Sequence, residues 1–151
     1  MTAYLQLMRP RQWPKNLLAL AALLFSGRFV DPQSLGLALL GLLSFVLLSS
    51  AVYAFNDAHD AEGDRKHPAK RSRPVASGRI SPAAARAFSL ALALAGMALA
   101  CLIAQGFAAC AASYLVISVL YTLWLKHQVI LDVFNLAAGF VLRAAAGGFA
   151  G

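Results

Sequence analysis

An apolar run from Leu35 to Phe55 ends without a spacer on Asn56-Asp57-Ala58-His59-Asp60-Ala61-Glu62-Gly63-Asp64. The run has the roughly 20 residues that a helix needs to cross a hydrocarbon core of about 30 Å. It constrains the fold strongly, because a bilayer satisfies no backbone polar group and admits only helices or closed barrels. Similar runs recur along a chain of 151 residues that is 60% hydrophobic. They are rich in Leu and Ala and lack the strict alternation of a barrel strand. The expected fold class is therefore all-α, a polytopic transmembrane helical bundle.

Five spans are predicted. They run from about Pro14 to Phe29, Leu35 to Asn56, Pro82 to Ala104, Phe107 to Leu125 and Val129 to Phe149. Ser81-Pro82 reads as an N-cap followed by proline at the first helical position. Asp31-Pro32 reads as a break between the first two spans. Gln105-Gly106 reads as a tight link that packs the third and fourth antiparallel. No A-x-A-like cleavage site follows Leu17 to Phe25, so the first apolar stretch reads as a retained helix rather than a signal peptide. An odd number of spans ends at Gly151 with no tail, which reads as a truncated or partial membrane protein.

The net charge of +7 is concentrated in a few places. Arg9, Arg11 and Lys15 flank the first span. Arg65, Lys66, Lys70, Arg71, Arg73 and Arg79 fill the loop after the second. Lys126 and His127 lie between the fourth and fifth. Alternating spans put all three groups on one side, and the positive-inside rule makes that side cytoplasmic, in the cell (inner) membrane. Basic residues that abut bilayer segments argue against a nucleic-acid partner. Cys101 and Cys110 form no metal or redox motif and read as small buried hydrophobes.

The acids carry the chemistry. On a continuing helix Asn56, Asp60 and Asp64, four residues apart, stack on one face, with Asp57 at its edge. Like charges at this spacing repel, and a helix C-terminus disfavours anions. A bound cation removes both costs. Oxygen-only donors suit Mg2+, which takes one or two carboxylates plus waters and substrate phosphates. The bland alternative is a solvated helix end paired with the neighbouring Arg and Lys. The position against a span favours the metal reading, with Asp57, Asp60 and Asp64 as ligands. Glu62 lies off that face and reads as a partner of the basic loop; His59 reads as a polar neighbour.

In that loop Arg65, Lys70, Arg71 and Arg73 are candidates for phosphate contact, since arginine forks match phosphate oxygens. The competing role, a topology signal beside anionic headgroups, is assigned to Arg79 and Arg86. In the fifth span Asp132, Asn135, Gly139 and Arg143 form one stripe. Asp132 and Arg143 are about 16 Å apart along a helix, so each needs another partner. Arg143 should face a polar cavity. Tyr121 and Lys126 approach the acidic side from the fourth span. Lys126 reads equally as a phosphate contact or a snorkelling lysine. Trp13 and Trp124 read as interface anchors, and Gly139, Gly147 and Gly148 as helix-packing residues.

Asn56-Asp57-x-x-Asp60-x-x-x-Asp64 resembles the first aspartate-rich motif of the UbiA superfamily of intramembrane prenyltransferases. Arg9-Pro10-Arg11-Gln12-Trp13-Pro14-Lys15-Asn16 resembles the opening of that family's first helix. A closer resemblance is to decaprenyl-phosphate phosphoribosyltransferases. It rests on Asn56 through Arg65-x-His67-Pro68-x-Lys70-Arg71-x-Arg73-Pro74-x-Ala76-x-Gly78, on Leu131-Asp132-Val133 and on Gly139 through Ala144. The resemblance implies a nine-span bundle around a cavity that opens laterally to a polyprenyl chain, of which about five spans fall here, so that residues 1–151 would be the N-terminal half of the domain. It implies transfer of 5-phosphoribose from phosphoribosyl diphosphate to a polyprenyl (decaprenyl) phosphate, with Mg2+ and release of diphosphate. It implies Asp57, Asp60 and Asp64 on Mg2+ with Asn56 beside them, and Lys15, Arg65, Lys126 and Arg143 on phosphate. The family's second motif is absent from these residues, so this stretch alone is expected to be inactive.

Three other readings compete. One is prenyl transfer from a prenyl diphosphate to an aromatic quinone precursor in the same fold. Another is a divalent-cation transporter with the acids as a ring at its mouth, against which the dense basic residues stand. The last is a non-catalytic membrane module.

Overall fold

A computed structural model describes residues 2–20, 24–25, 30–125, 138–139 and 145. The described residues form helices and loops, with no strand. Helix α1 (Ala3–Leu7) leads into a 3-10 helix (Pro10–Leu20). Then come α2 (Pro32–His59), the short α3 (Ala61–Lys66), α4 (Pro82–Ile103), α5 (Gln105–Leu120) and one π-helical turn (Tyr121–Leu125). Three stretches are long and apolar enough to cross a membrane: Pro32–His59, Pro82–Ile103 and Gln105–Trp124. These are the predicted second, third and fourth spans.

Helix boundaries differ from the sequence reading for local reasons. Asp31-Pro32 starts α2 rather than merely separating two spans. The Asp31 carboxylate accepts from the Ser34 N–H at 2.8 Å, and Pro32 takes the first turn, where its missing N–H costs nothing. The helix runs on to His59, so its 28 residues reach about 42 Å, beyond a hydrocarbon core and into the surface layer. Gln105-Gly106 is not a link: both residues belong to the first turn of α5, and Ala104, in extended conformation, makes the corner alone. The predicted first span opens at Pro10, not Pro14, and as a 3-10 helix that contains Pro14. Apart from residues 138–139 and 145, the predicted fifth span lies outside the described residues.

Helix α2 is the axis of the bundle, and α4 packs along it most extensively. Small residues make the close approach possible. A Cβ on Gly96 would meet the Leu48 side chain at 2.8 Å and the Ser44 carbonyl at 3.1 Å. Ser44 Oγ donates to the Gly96 carbonyl at 2.8 Å, and Ser89 Oγ donates to the Ala51 carbonyl at 2.7 Å. With hydrocarbon outside, such contacts and bonds replace the hydrophobic drive that water would supply. Phe45 packs edge-on against Phe107 and Tyr114 of α5, which closes the apolar core.

The N-terminal segment is tied to the same helix. Asn16 Nδ2 donates to Ser49 Oγ at 3.0 Å, and Trp13 Nε1 donates to Ser50 Oγ at 3.2 Å and the Met8 carbonyl at 3.3 Å. Trp13 is therefore an internal tie rather than an interface anchor, since its one N–H is used by protein. Trp124 is 73% exposed, as an interface residue should be. Cys101 is exposed and Cys110 half-buried, so the expectation of buried thiols fails; both are free.

Candidate functional site

The acidic motif lies where α2 ends, and the helix bends there. Asp60 has φ −91° and ψ 2°, between α2 and α3, although its N–H still bonds the Asn56 carbonyl and its carbonyl accepts from the Asp64 N–H. Asp57 and Asp64 are seven residues apart, two turns, so they share the centre of one face. Both are buried, their side chains 2% and 6% exposed. The expected stack of Asn56, Asp60 and Asp64 with Asp57 at the edge is thus re-centred on Asp57 and Asp64.

Two arginines meet these carboxylates. Arg73 Nη1 lies 2.7 Å from Asp64 Oδ2 and 3.4 Å from Asp57 Oδ1, so one guanidinium nitrogen sits between both acids. Arg9 Nη2 contacts Asp57 Oδ1 at 2.5 Å, and its guanidinium lies 5.0 Å from the Tyr53 ring centroid. Arg9 adopts φ +52°, a left-handed conformation that costs a residue with a Cβ energy. The turn between α1 and the 3-10 helix aims its side chain back at α2. Arg9 was expected only as a flanking charge. Its part in the site depends on a contact 48 residues away, for which the sequence carries no local signal.

The basic loop is folded, not a solvated run of charge. Val75 and Ile80 are buried with Leu7, Ala54, Ala58, Ala61 and Ala85 in a small apolar cluster beneath it. Gly78 turns the chain at φ +80°, and Ser81 Oγ accepts from the Ala84 N–H to start α4. Arg79, expected to be a topology signal, braces the loop through the Ser72 carbonyl at 2.9 Å and Ser77 Oγ at 3.2 Å. Pinning Val75 and Ile80 fixes where Arg73 points.

The remaining candidates separate. Lys70, Asp60, Asp64, His59, His67 and Leu123 line an open cavity of about 430 Å³ beside the acids, so Lys70 is placed for an anion there. Arg65 Nε is used on the Ala76 carbonyl at 3.1 Å. Arg71 and Lys15 are exposed and make no ion pair among the described residues. Glu62 is likewise exposed without an ion pair there, so it does not neutralise the basic loop. Tyr121 is half-buried in the π-helical turn. Lys126 and Arg143 lie outside the described residues, as do Asp132 and Asn135.

Thr122 is a residue the sequence reading passed over. It is 1% exposed, and its hydroxyl lies against Asn56 Oδ1 and, at 2.8 Å, the Ser118 carbonyl. It fastens the Asn56 amide to the end of α5. The π-helical turn that carries it is a rare geometry, often found at functional sites.

Among the described residues no three His, Cys, Asp or Glu side chains are gathered closely enough to hold a metal by themselves. The donor set nevertheless fits a hard cation. Asp57 and Asp64 converge on one point that Arg73 shows to be favourable for positive charge, and Asp60 borders the adjoining cavity. An ion with few protein ligands and several water or phosphate oxygens suits such a place.

A model of the UbiA prenyltransferase family matches residues 16–151. The decaprenyl-phosphate phosphoribosyltransferase of Mycolicibacterium smegmatis is 39% identical over 146 residues, which cover 94% of this chain and 46% of the relative. The solved structure of a digeranylgeranylglyceryl phosphate synthase superposes with a TM-score of 0.88 at 25% identity, covering 99% of this chain and 52% of that one. A UbiA homolog from Archaeoglobus fulgidus bound to GPP and Mg2+ gives a TM-score of 0.82 at 28% identity, with 97% and 53% coverage. The chain spans about half the length of the curated relatives it matches.

Proposed function

This chain belongs to the UbiA prenyltransferase family, and we propose that it is the acid-bearing half of a transferase that moves 5-phosphoribose from phosphoribosyl diphosphate to a polyprenyl phosphate. The observation that carries the reading is the convergence of Asp57 and Asp64 on one cationic point, beside a cavity that Asp60 and Lys70 share. The 39% identity to a decaprenyl-phosphate phosphoribosyltransferase supports this choice of donor and acceptor.

In the proposed reaction an acceptor phosphate oxygen attacks C1 of the ribose. The bond from C1 to the diphosphate oxygen breaks, and its electron pair leaves with diphosphate. Asp57, Asp60 and Asp64 would hold Mg2+, which when bound would supply positive charge against the diphosphate. Arg9 and Arg73 hold two buried carboxylates in place when the site changes occupancy. Lys70 contributes fixed positive charge at the cavity wall, as Lys126 and Arg143 are proposed to do from the following segment. Thr122 holds Asn56 beside the acids. Membrane-spanning helices let a lipid acceptor stay in the bilayer while its phosphate meets a water-soluble donor. The acidic side is assigned to the cytoplasmic face of the inner membrane from the positive-inside bias.

A second reading, prenyl transfer from a prenyl diphosphate to an aromatic acceptor, is favoured by the similar structure bound to GPP and Mg2+. The ion pairs weigh against a cation transporter, since Arg9 and Arg73 sit on the very acids that would line its mouth. The deciding experiment uses the intact protein in detergent with Mg2+, phosphoribosyl diphosphate and a polyprenyl phosphate. Released diphosphate and labelled lipid are measured, with Asp60→Asn beside it. Lipid-linked ribose phosphate that vanishes in the variant supports the first reading. Product only with a prenyl diphosphate and an aromatic acceptor replaces it with the second.

A further inference from the structure

A second cavity lies on the other side of α2. It is a groove of about 280 Å³ between α2, α4 and α5, walled by Val52, Phe55, Leu90, Ala93, Leu115 and Val119, with Arg86 and Ser89 also in its lining. Phe55 and Asp57 are two residues apart on one helix, about 200° around its axis, so the groove and the acids face opposite ways. Leu90 on the rim is 61% exposed, as a residue facing lipid would be.

The polar groups in this groove are unevenly placed. Ser89 spends its hydroxyl on the Ala51 carbonyl, which leaves the lower wall apolar. Arg86 is exposed and has no ion pair or hydrogen bond among the described residues. It stands in the second turn of α4, and α4 begins on the side where α2 ends, so Arg86 marks the end nearest the membrane surface. From Arg86 to Ala93 the groove descends seven residues, about 10 Å. Its matching ligand has one anionic end and one apolar tail.

We propose that this groove binds an anionic phospholipid of the surrounding leaflet, with its phosphate on Arg86 and the upper part of one acyl chain between α2, α4 and α5. Arg86 supplies the paired donors that phosphate oxygens accept, at the depth where headgroups lie. A reacting polyprenyl phosphate is not the occupant, because the groove faces away from the acids. The proposal does not depend on the identity of the transferred group.

The test measures binding of phosphatidylglycerol and phosphatidylcholine to the delipidated intact protein by native mass spectrometry. Wild type should retain phosphatidylglycerol about fivefold better, the effect of one cationic side chain at the membrane surface. Arg86→Gln should bring the two lipids level, and Arg86→Lys should keep most of the preference. Ala93→Phe, which fills the lower groove without touching the charge, should weaken both lipids together. Equal binding of the two lipids by wild type, or an undiminished preference in Arg86→Gln, overturns the proposal. So does displacement of phosphatidylglycerol by stoichiometric polyprenyl phosphate, which would make the acceptor lipid the occupant.

Discussion

The middle and the last turn of α2 are held by opposite means. Its middle lies against α4 through small residues, hydroxyl-to-carbonyl bonds and the Phe45–Phe107–Tyr114 stack, with no ion pair among the described residues there. Its last turn is held by Arg9 and Arg73, both about a quarter exposed, on carboxylates that are almost fully buried. The first region gains from closeness and suffers from added volume. The second is an arrangement of charges whose members depend on one another, so its responses should follow charge rather than size. A closely packed frame and a cluster of paired charges thus share one helix.

Four substitutions would break or sharpen this contrast. Asp64→Asn should leave the fold intact and lower transfer by about 10²–10³-fold, as loss of one fixed electrostatic contact does; turnover with saturating donor and acceptor is the measure. Arg73→Ala should lower stability by about 3 kcal/mol, the low end for breaking a buried pair, because Arg9 remains on Asp57. Thermal melting should then show a larger gain from added Mg2+ than wild type does, since a cation re-enters between the acids. An Mg2+ response no larger than wild type would show that the two acids do not share a cation.

Gly96→Ala probes the packed middle. Its new Cβ would meet Leu48 and the Ser44 carbonyl, and overpacking of this kind costs about 1–3 kcal/mol. The loss should appear in melting temperature with half-saturating Mg2+ unchanged, because no charge moves. Thr122→Val should be mildest in stability, about 1 kcal/mol for one hydrogen bond. It should still weaken half-saturating Mg2+ about tenfold, as loss of an outer partner of a metal site does. Thr122→Ser should restore it. An unaltered Mg2+ requirement in Thr122→Val would remove Asn56 from the site.

Much of this was legible beforehand, and the misses have physical causes. Helices α2, α4 and α5 follow from apolar length, from proline and from the cap at Ser81, whereas Asp31, expected only as a break, caps α2. These are local signals, and local signals survive folding. The acidic motif announced itself because four carboxylates beside a span are costly without a partner. The misreadings of Trp13 and Arg79 share one origin. Each was judged by its neighbours in sequence, while its polar atoms are satisfied by backbone or side chains that a turn brings close.

The sequence by itself determined that this chain enters a membrane as helices, where three of them lie, and that carboxylates stand at one of their ends. Apolar length and backbone satisfaction leave no other choice in a bilayer. Only the tertiary structure decided which cations answer those carboxylates. Arg73 reaches Asp57 and Asp64 because Val75 and Ile80 bury themselves beneath the loop, and Arg9 reaches Asp57 because Trp13 and Asn16 fasten the N-terminal segment to α2. A charge takes its partner from wherever packing delivers one, and packing between distant segments is not written in the spacing of either.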